Sequence, residues 1–139
     1  MALPGCGGGG DGPESTGAPP QKRAQARAAL SSACPARLGA FVDALGGLRR
    51  QLAVGLSYDQ YTARVKALRA DYEGVPIERL DLACLAASGT SGERAFNKYI
   101  DAANAWGDCL ADSSCDTATI EPVLQRKWQV ASHLLGETR

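Results

Sequence analysis

The side chains of this chain most able to do chemistry are five cysteines and a single histidine. The cysteines are Cys6, Cys34, Cys84, Cys109 and Cys115, and the histidine is His133. Structural zinc sites take ligands at short paired spacings, commonly two residues apart, and none of these spacings fits. A lone histidine also excludes most metal and acid–base sites that are built on histidine pairs. The sequence therefore predicts no metal and no cofactor.

Four of the cysteines, setting Cys6 aside, are an even number in a small chain, which predicts two disulfide bonds in an oxidising compartment. Four cysteines allow three pairings. Cys109 and Cys115 flank five residues that indicate a turn between two helices, and this favours a local bond between them. Cys34 and Cys84 would then close the longer loop. The alternative is four reduced, buried thiols.

Catalytic arrangements are hard to find in the sequence. A nucleophile needs a neighbouring base, and His133 lies near the end of the last predicted helix, where a surface or capping role is expected. The Gly89–Gly92 segment lacks the lysine and the spacing of a P-loop. Asp108, Asp112 and Asp116 recur at four-residue steps and could suggest calcium, but the ligand order and the glycine of an EF-hand are absent. We therefore do not expect an enzyme. An enzyme that uses carboxylates alone ranks third, after the two non-enzymatic hypotheses given below.

Five aromatic residues on predicted helices are the candidates for contact with a ligand or partner. Tyr61 and Tyr72 are eleven residues apart, or three helical turns, which places them on one face. Trp106 and Trp128 would approach each other if the last two helices are antiparallel across a Cys109–Cys115 bond. Such a lining would suit an apolar or sugar-like ligand, and the alternative is that the rings simply fill the core. The full set is Tyr61, Tyr72, Tyr99, Trp106 and Trp128.

Helical periodicity runs through nearly the whole chain after Pro20 and predicts the elements that position these residues. A first helix begins at Pro35 and ends at Gly55, with a kink or a close helix contact at Gly46-Gly47. A second begins at Ser57, where Gln60 completes a capping box, and ends at Gly74. No segment shows the alternation of a strand.

The second half of the chain continues the helical pattern. Pro76 opens a short helix, and Gly89–Gly92 is predicted to be a turn that Thr90 or Ser91 caps. A long helix follows, and Thr119 is predicted to cap the last helix, which ends at Gly136. Because the connections are short, we predict an all-α fold: an antiparallel bundle of four main helices plus a short helix, stapled by two disulfides.

Length and composition bound the organisation of the chain. Its 139 residues leave room for one domain. Residues 1–20, with seven glycines and four prolines, predict a disordered tether; 21–34 predict a marginal helical lead-in, and 35–136 the bundle. Fifteen basic and fifteen acidic residues give a net charge of zero, which argues against a nucleic-acid partner. No run approaches about 18 apolar residues, so no membrane span is predicted. We also expect the chain to be a monomer.

The start of the chain carries a family resemblance. Leu3-Pro4-Gly5-Cys6 resembles the lipobox of bacterial lipoproteins, in which a leucine stands three residues before the cysteine and a small residue directly precedes it. In that family the cysteine carries the lipid and a Gly/Ser-rich tether follows, as Gly7 to Gly10 would here. The resemblance implies that Cys6 is lipidated and that the natural chain begins upstream of Met1.

The chain has eleven arginines and four lysines, and its predicted helices are rich in alanine. This composition resembles that of proteins from high-GC actinobacteria. Together with the start, the chain resembles the small, helical, cysteine-stapled lipoproteins that those bacteria export. This implies an extracytoplasmic location, lipid-anchored or secreted, and brings no catalytic motif. The leading hypothesis is a non-enzymatic cell-envelope module that binds an unknown protein or small ligand and meets the membrane only through a lipid on Cys6. The alternative is a cytoplasmic helical adaptor or regulator with reduced cysteines.

Overall fold

The computed structural model describes residues 34–138, and all regular structure in that range is helical. Four main helices follow one another: α1 (Ala36–Val54), α2 (Tyr58–Glu73), α3 (Thr90–Ala111) and α4 (Thr117–Gly136). Between α2 and α3 lie three short segments: a 3-10 turn at Ile77–Arg79, an α-helical turn at Leu82–Cys84 and a π-helical turn at Leu85–Gly89. The all-α prediction is confirmed. The predicted tether, most of the lead-in and Cys6 lie outside the described residues.

Helix α1 contributes one face to the core through Leu38, Phe41, Leu45 and Leu48, which recur at three- and four-residue steps. It runs unbroken through Gly46 and Gly47, where an added β-carbon would meet nothing but the Arg50 side chain within 4 Å. The predicted kink or close helix contact was therefore wrong. The predicted stop at Gly55 is confirmed, since its φ of 118° suits glycine.

Helix α2 begins with the predicted capping box. The backbone N–H of Gln60 donates to the Ser57 hydroxyl over 3.2 Å, and the backbone N–H of Ser57 donates to the Gln60 side-chain oxygen over 3.0 Å. These two bonds satisfy backbone donors that the helix itself leaves free. Tyr61, Val65 and Leu68 then form its buried face.

The turn predicted at Gly89–Gly92 does not exist. The π-helical turn joins Leu82–Cys84 to α3 without leaving helical backbone angles, and Asp81 caps the start by accepting from the Cys84 amide over 2.8 Å. The glycines serve packing instead. A β-carbon at Gly92 would lie 3.4 Å from a Val42 methyl group of α1, and one at Gly89 would lie 3.2 Å from Leu85.

Helices α3 and α4 form an antiparallel hairpin that is bonded at both ends. At one end the predicted Cys109–Cys115 disulfide is confirmed, and at the other the Ser91 hydroxyl donates to Glu137 over 3.1 Å. Asp116 rather than Thr119 caps α4, because its Oδ1 accepts from both the Thr119 amide and the Thr119 hydroxyl.

The second disulfide, Cys34–Cys84, is also confirmed. It joins Cys34, two residues before the start of α1, to the helical segment that leads into α3, so α1 and α2 lie inside a closed loop. Within residues 34–138, no helix has the length and apolar character needed to cross a bilayer.

Candidate ligand groove

The aromatic residues of the bundle fall into two separate clusters. We call Phe41, Tyr72 and Phe96 the closed cluster; their ring centroids lie 5.5–5.6 Å apart. The groove cluster is Tyr58, Tyr61, Trp106 and Trp128, with neighbouring centroids 5.4–6.2 Å apart. Tyr61 and Tyr72 were predicted to share one face of α2. They lie in different clusters because three helical turns separate them by about 16 Å along the axis.

The closed cluster is a packing unit. Phe41 and Phe96 are buried, and the void beside them measures about 10 Å³, which is about enough for a single water. Desolvation raises the pKa of Tyr72, and the neighbouring Glu93 raises it further. Tyr72 was a candidate contact residue. It has no room for a ligand on the side of the closed cluster, and on its other side it borders a shallow depression of about 410 Å³ in which it is the one aromatic ring among the described lining residues.

The groove cluster borders an open groove of about 630 Å³. The groove is lined by the end of α3, the start of α4 and the turn between them, including both cysteines of the Cys109–Cys115 bond. Trp106 and Trp128 line it with their rings 6.2 Å apart and nearly perpendicular. The predicted approach of the two tryptophans is thereby confirmed. Leu110, Ile120 and Leu124 add aliphatic surface.

Trp128 forms one wall of the groove, and a hydrogen bond to the buried Tyr61 holds it in place. The Trp128 indole N–H donates to the Tyr61 hydroxyl over 3.1 Å, and that hydroxyl donates to the Tyr99 carbonyl over 2.7 Å. Tyr61 is fully buried, and this desolvation raises its pKa. Because the Trp128 indole N–H already donates to the Tyr61 hydroxyl, the ring offers the groove mainly its carbon atoms.

Tyr99 is also fully buried and does not line the groove. Desolvation raises its pKa to about 12. Its hydroxyl has no hydrogen-bond partner among the described residues. Of the five aromatic candidates, therefore, Trp106 and Trp128 line the groove and Tyr61 supports it. Tyr99 belongs to the packed interior, and Tyr72 is half-buried at the closed cluster, away from the groove.

The charged residues that line the groove are all acidic: Asp112, Asp116 and Glu121. Asp112 Oδ1 accepts from the Ser114 hydroxyl and amide over 2.7 and 2.9 Å, and these bonds hold the pKa of Asp112 below its usual range. The bonds from Thr119 do the same to the pKa of Asp116. The hydrogen bonds to both carboxylates favour their charged form.

The carboxylates of the turn do not converge on a metal-binding arrangement. Within residues 34–138, no group of three or more His, Cys, Asp or Glu side chains is placed to hold a metal. His133 lies in the last turn of α4, at the far end from the groove, where its side chain is 81% exposed and 3.6 Å from Glu137. That is the surface position that the sequence predicts for it.

A second groove of about 500 Å³ shares Trp128 with the first but has the opposite charge. Arg49 and Arg50 of α1 line it, together with Gln129 and Ser132 of α4. Trp106 does not reach this second groove, which therefore has one aromatic wall rather than two.

Two residues of the groove region were missed by reasoning from the sequence. Leu110 follows the apolar pattern of α3, yet it is 61% exposed and lines the groove. At Gly107, a β-carbon would lie 2.7 Å from the Tyr58 hydroxyl, so this glycine lets Tyr58 lie against Trp106. The available signal was an isolated glycine inside a helical pattern, which often marks close packing.

Comparison of the chain with protein-family models, curated proteins and solved structures gave no match. The candidate site is therefore defined by its own geometry. Two tryptophans, one of them fixed by a buried hydroxyl, meet a stapled turn that carries ionised carboxylates.

Proposed function

We propose that this chain is a non-enzymatic binding module of the cell envelope and that the groove beside Trp106 and Trp128 is its ligand site. A lipid on Cys6 holds the module outside the membrane, or the chain is secreted. The observation that carries the proposal is the pairing of the two tryptophans along an open groove of about 630 Å³.

The size and construction of the groove support binding. Pockets for small ligands usually measure about 300–1,000 Å³ and combine apolar walls with a few fixed polar groups. Here Trp128 is held in place by Tyr61, and the Cys109–Cys115 bond limits movement of the adjoining turn. A site ordered before the ligand arrives loses less conformational entropy on binding.

The two disulfides support the location. Such bonds persist in oxidising compartments and are rare in the cytosol, and both cysteine pairs of the bundle are bonded. The lipid on Cys6 depends on the resemblance of Leu3-Pro4-Gly5-Cys6 to a lipobox. A single acyl chain binds membranes weakly, and two or more hold a protein stably.

The electrostatics of the groove support a role without catalysis. A general acid that acts near neutral pH needs a raised pKa, whereas the pKa values of Asp112 and Asp116 are lowered. The single histidine lies at the opposite end of α4 and faces Glu137. Binding is therefore the simplest function for these residues.

Nile red, a neutral dye whose emission rises in apolar surroundings, tests the groove. We expect it to bind the full chain, and the variant Leu110→Gln to weaken that binding severalfold. Leu82→Gln is the matched control, because Leu82 is 83% exposed and does not line the groove. Absence of Nile red binding, or equal effects of the two variants, would refute the groove as the ligand site.

The cytoplasmic adaptor is the competing function, and the mass of the protein isolated from its own host distinguishes the two. The envelope proposal expects a chain that begins at Cys6, carries a diacylglycerol and is lighter by four hydrogens than the reduced form. A secreted, unlipidated chain would keep the hydrogen deficit alone. An unmodified chain with five free thiols would overturn the envelope location and favour the adaptor.

A further inference from the structure

The groove combines aromatic rings with negative charge at one place on the molecule. The rings of Trp106 and Trp128 line it, and its charged residues are Asp112, Asp116 and Glu121. No described arginine, lysine or histidine is among its lining residues. The aromatic pair and the charge are independent observations, since the tryptophans are fixed by the hairpin and the carboxylates by the turn.

This combination matches one kind of ligand. The face of an indole ring attracts cations through its quadrupole, and tryptophan does so best among the aromatic residues. Carboxylates nearby attract the same cations. The hydrogen bonds that Asp112 and Asp116 accept in the turn end on Oδ1 in each case, which leaves Oδ2 of both side chains available to an incoming donor.

The second groove, which adjoins the first at Trp128, has the opposite charge. It is lined by Arg49 and Arg50 and carries no acidic lining residue, so it repels a cation that the first groove attracts. The two grooves share Trp128 and Gln125, and the second groove has neither the acidic side chains nor the second tryptophan of the first.

We propose that the groove between Trp106, Trp128 and the stapled turn binds a small organic cation: a positively charged amine joined to an apolar body. The apolar body packs on the tryptophans and Leu110, and the amine lies beside Asp112 and Asp116. This inference rests on the proposed binding function and adds the chemical class of the ligand. The volume of about 630 Å³ accommodates a molecule of this size.

Three probes with one apolar body test the charge preference. They are 4-phenylbutylammonium, 4-phenylbutanol and 4-phenylbutyrate, titrated into the full chain while tryptophan emission is recorded. We expect the ammonium to bind about tenfold more tightly than the alcohol, from exposed ion pairing and cation–π attraction together. The carboxylate should bind most weakly, and added salt should narrow the difference.

The double variant Asp112→Asn with Asp116→Asn identifies the charges responsible. Asparagine caps helices about as well as aspartate, so the start of α4 is retained. The ammonium should lose most of its advantage, and the alcohol should bind as before. The control is Asp43→Asn with Asp71→Asn, an equal change of charge at two exposed residues outside the groove, which should leave the order of the probes unchanged.

The outcomes separate this inference from the binding function itself. If Nile red binds and the three probes bind equally, or the carboxylate binds best, the cation preference is wrong and the binding function stands. Loss of the preference in the control double variant would likewise overturn the assignment to Asp112 and Asp116. If neither Nile red nor any probe binds, both proposals fail.

Discussion

The closed cluster and the groove cluster contain the same kinds of residue at nearly the same spacing, and they differ in what lies beside them. The rings of the closed cluster come from α1, α2 and α3, and Val75, Ile77, Leu80 and Leu85 of the connection before α3 fill the space around them. The groove cluster faces a short turn that adds no comparable apolar cover. Whether the rings of a cluster are covered on this side thus depends on the adjoining connection and not on the type of aromatic residue.

The two disulfides offer the largest test of this contrast. In the chain-entropy model, replacing Cys34 and Cys84 with alanine costs about 4 kcal/mol of unfolding free energy, and replacing Cys109 and Cys115 costs about 2 kcal/mol, because the bonds span 50 and 6 residues. Urea unfolding in a Cys6→Ser background measures both values. Nile red binding should fall in the second variant and persist in the first. The reverse pattern would contradict the view that one end stabilises and the other binds.

The buried tyrosines give the next effect. Tyr61→Phe leaves the part-buried Trp128 indole N–H without its acceptor and removes the hydroxyl that donates to the Tyr99 carbonyl within α3, and we expect a loss of about 1–3 kcal/mol. Tyr99→Phe removes a hydroxyl that has no partner among the described residues, so stability should change by less than about 0.5 kcal/mol. Chemical denaturation of the two variants, each the control for the other, checks the prediction. Equal losses would show that Tyr61 does not hold the groove wall.

Substitution of two glycines in α3 tests the same contrast between the closed cluster and the groove cluster, with a smaller expected effect. Gly92→Ala places a methyl group 3.4 Å from Val42 beside the closed cluster, and the gain in helix propensity should stabilise the fold by up to about 1 kcal/mol. Gly107→Ala forces Tyr58 away from Trp106, so we expect no net stabilisation and a shift in tryptophan emission. Thermal unfolding and emission spectra of both variants distinguish the cases, and a stabilised Gly107→Ala with unchanged emission would contradict the assigned contact.

The smallest effect concerns acid stability of the groove end. The pKa of Asp116 is lower in the folded chain than its usual value of 3.8, so its contribution is present above that pH and lost as the pH falls through the folded value. Asp116→Asn should match the parent at neutral pH and lose less stability on acidification. Melting temperatures from pH 7 to pH 2 measure this, with Asp43→Asn as the charge-matched control. A parallel loss in both chains would remove Asp116 from the explanation.

Local signals in the sequence were sufficient for several of these features. The Ser57–Gln60 capping box and the stop at Gly55 depend on residues within one helical turn, so spacing predicts them directly. The Cys109–Cys115 bond and the approach of Trp106 to Trp128 follow from a single antiparallel hairpin.

Features that depend on a distant element were missed. The Gly89–Gly92 segment was predicted to be a turn, and the packing role of Gly92 depends on Val42 of α1, which is distant in the sequence. Leu110 fits the apolar pattern of α3, and its exposure reflects where α4 begins, which Asp116 sets. The acidic character of the groove likewise depends on how the turn folds, because the sequence shows only that aspartates recur there.

The bond between Cys34 and Cys84 has a mechanical consequence. A pull on the chain ahead of Cys34 passes through the disulfide to Cys84 and reaches α3 without loading α1 or α2. With both disulfides intact, fewer than half of the residues between Cys34 and Thr138 could be drawn out by stretching the two ends. A module tethered through its N-terminal segment would therefore keep α1 and α2 sheltered from tension.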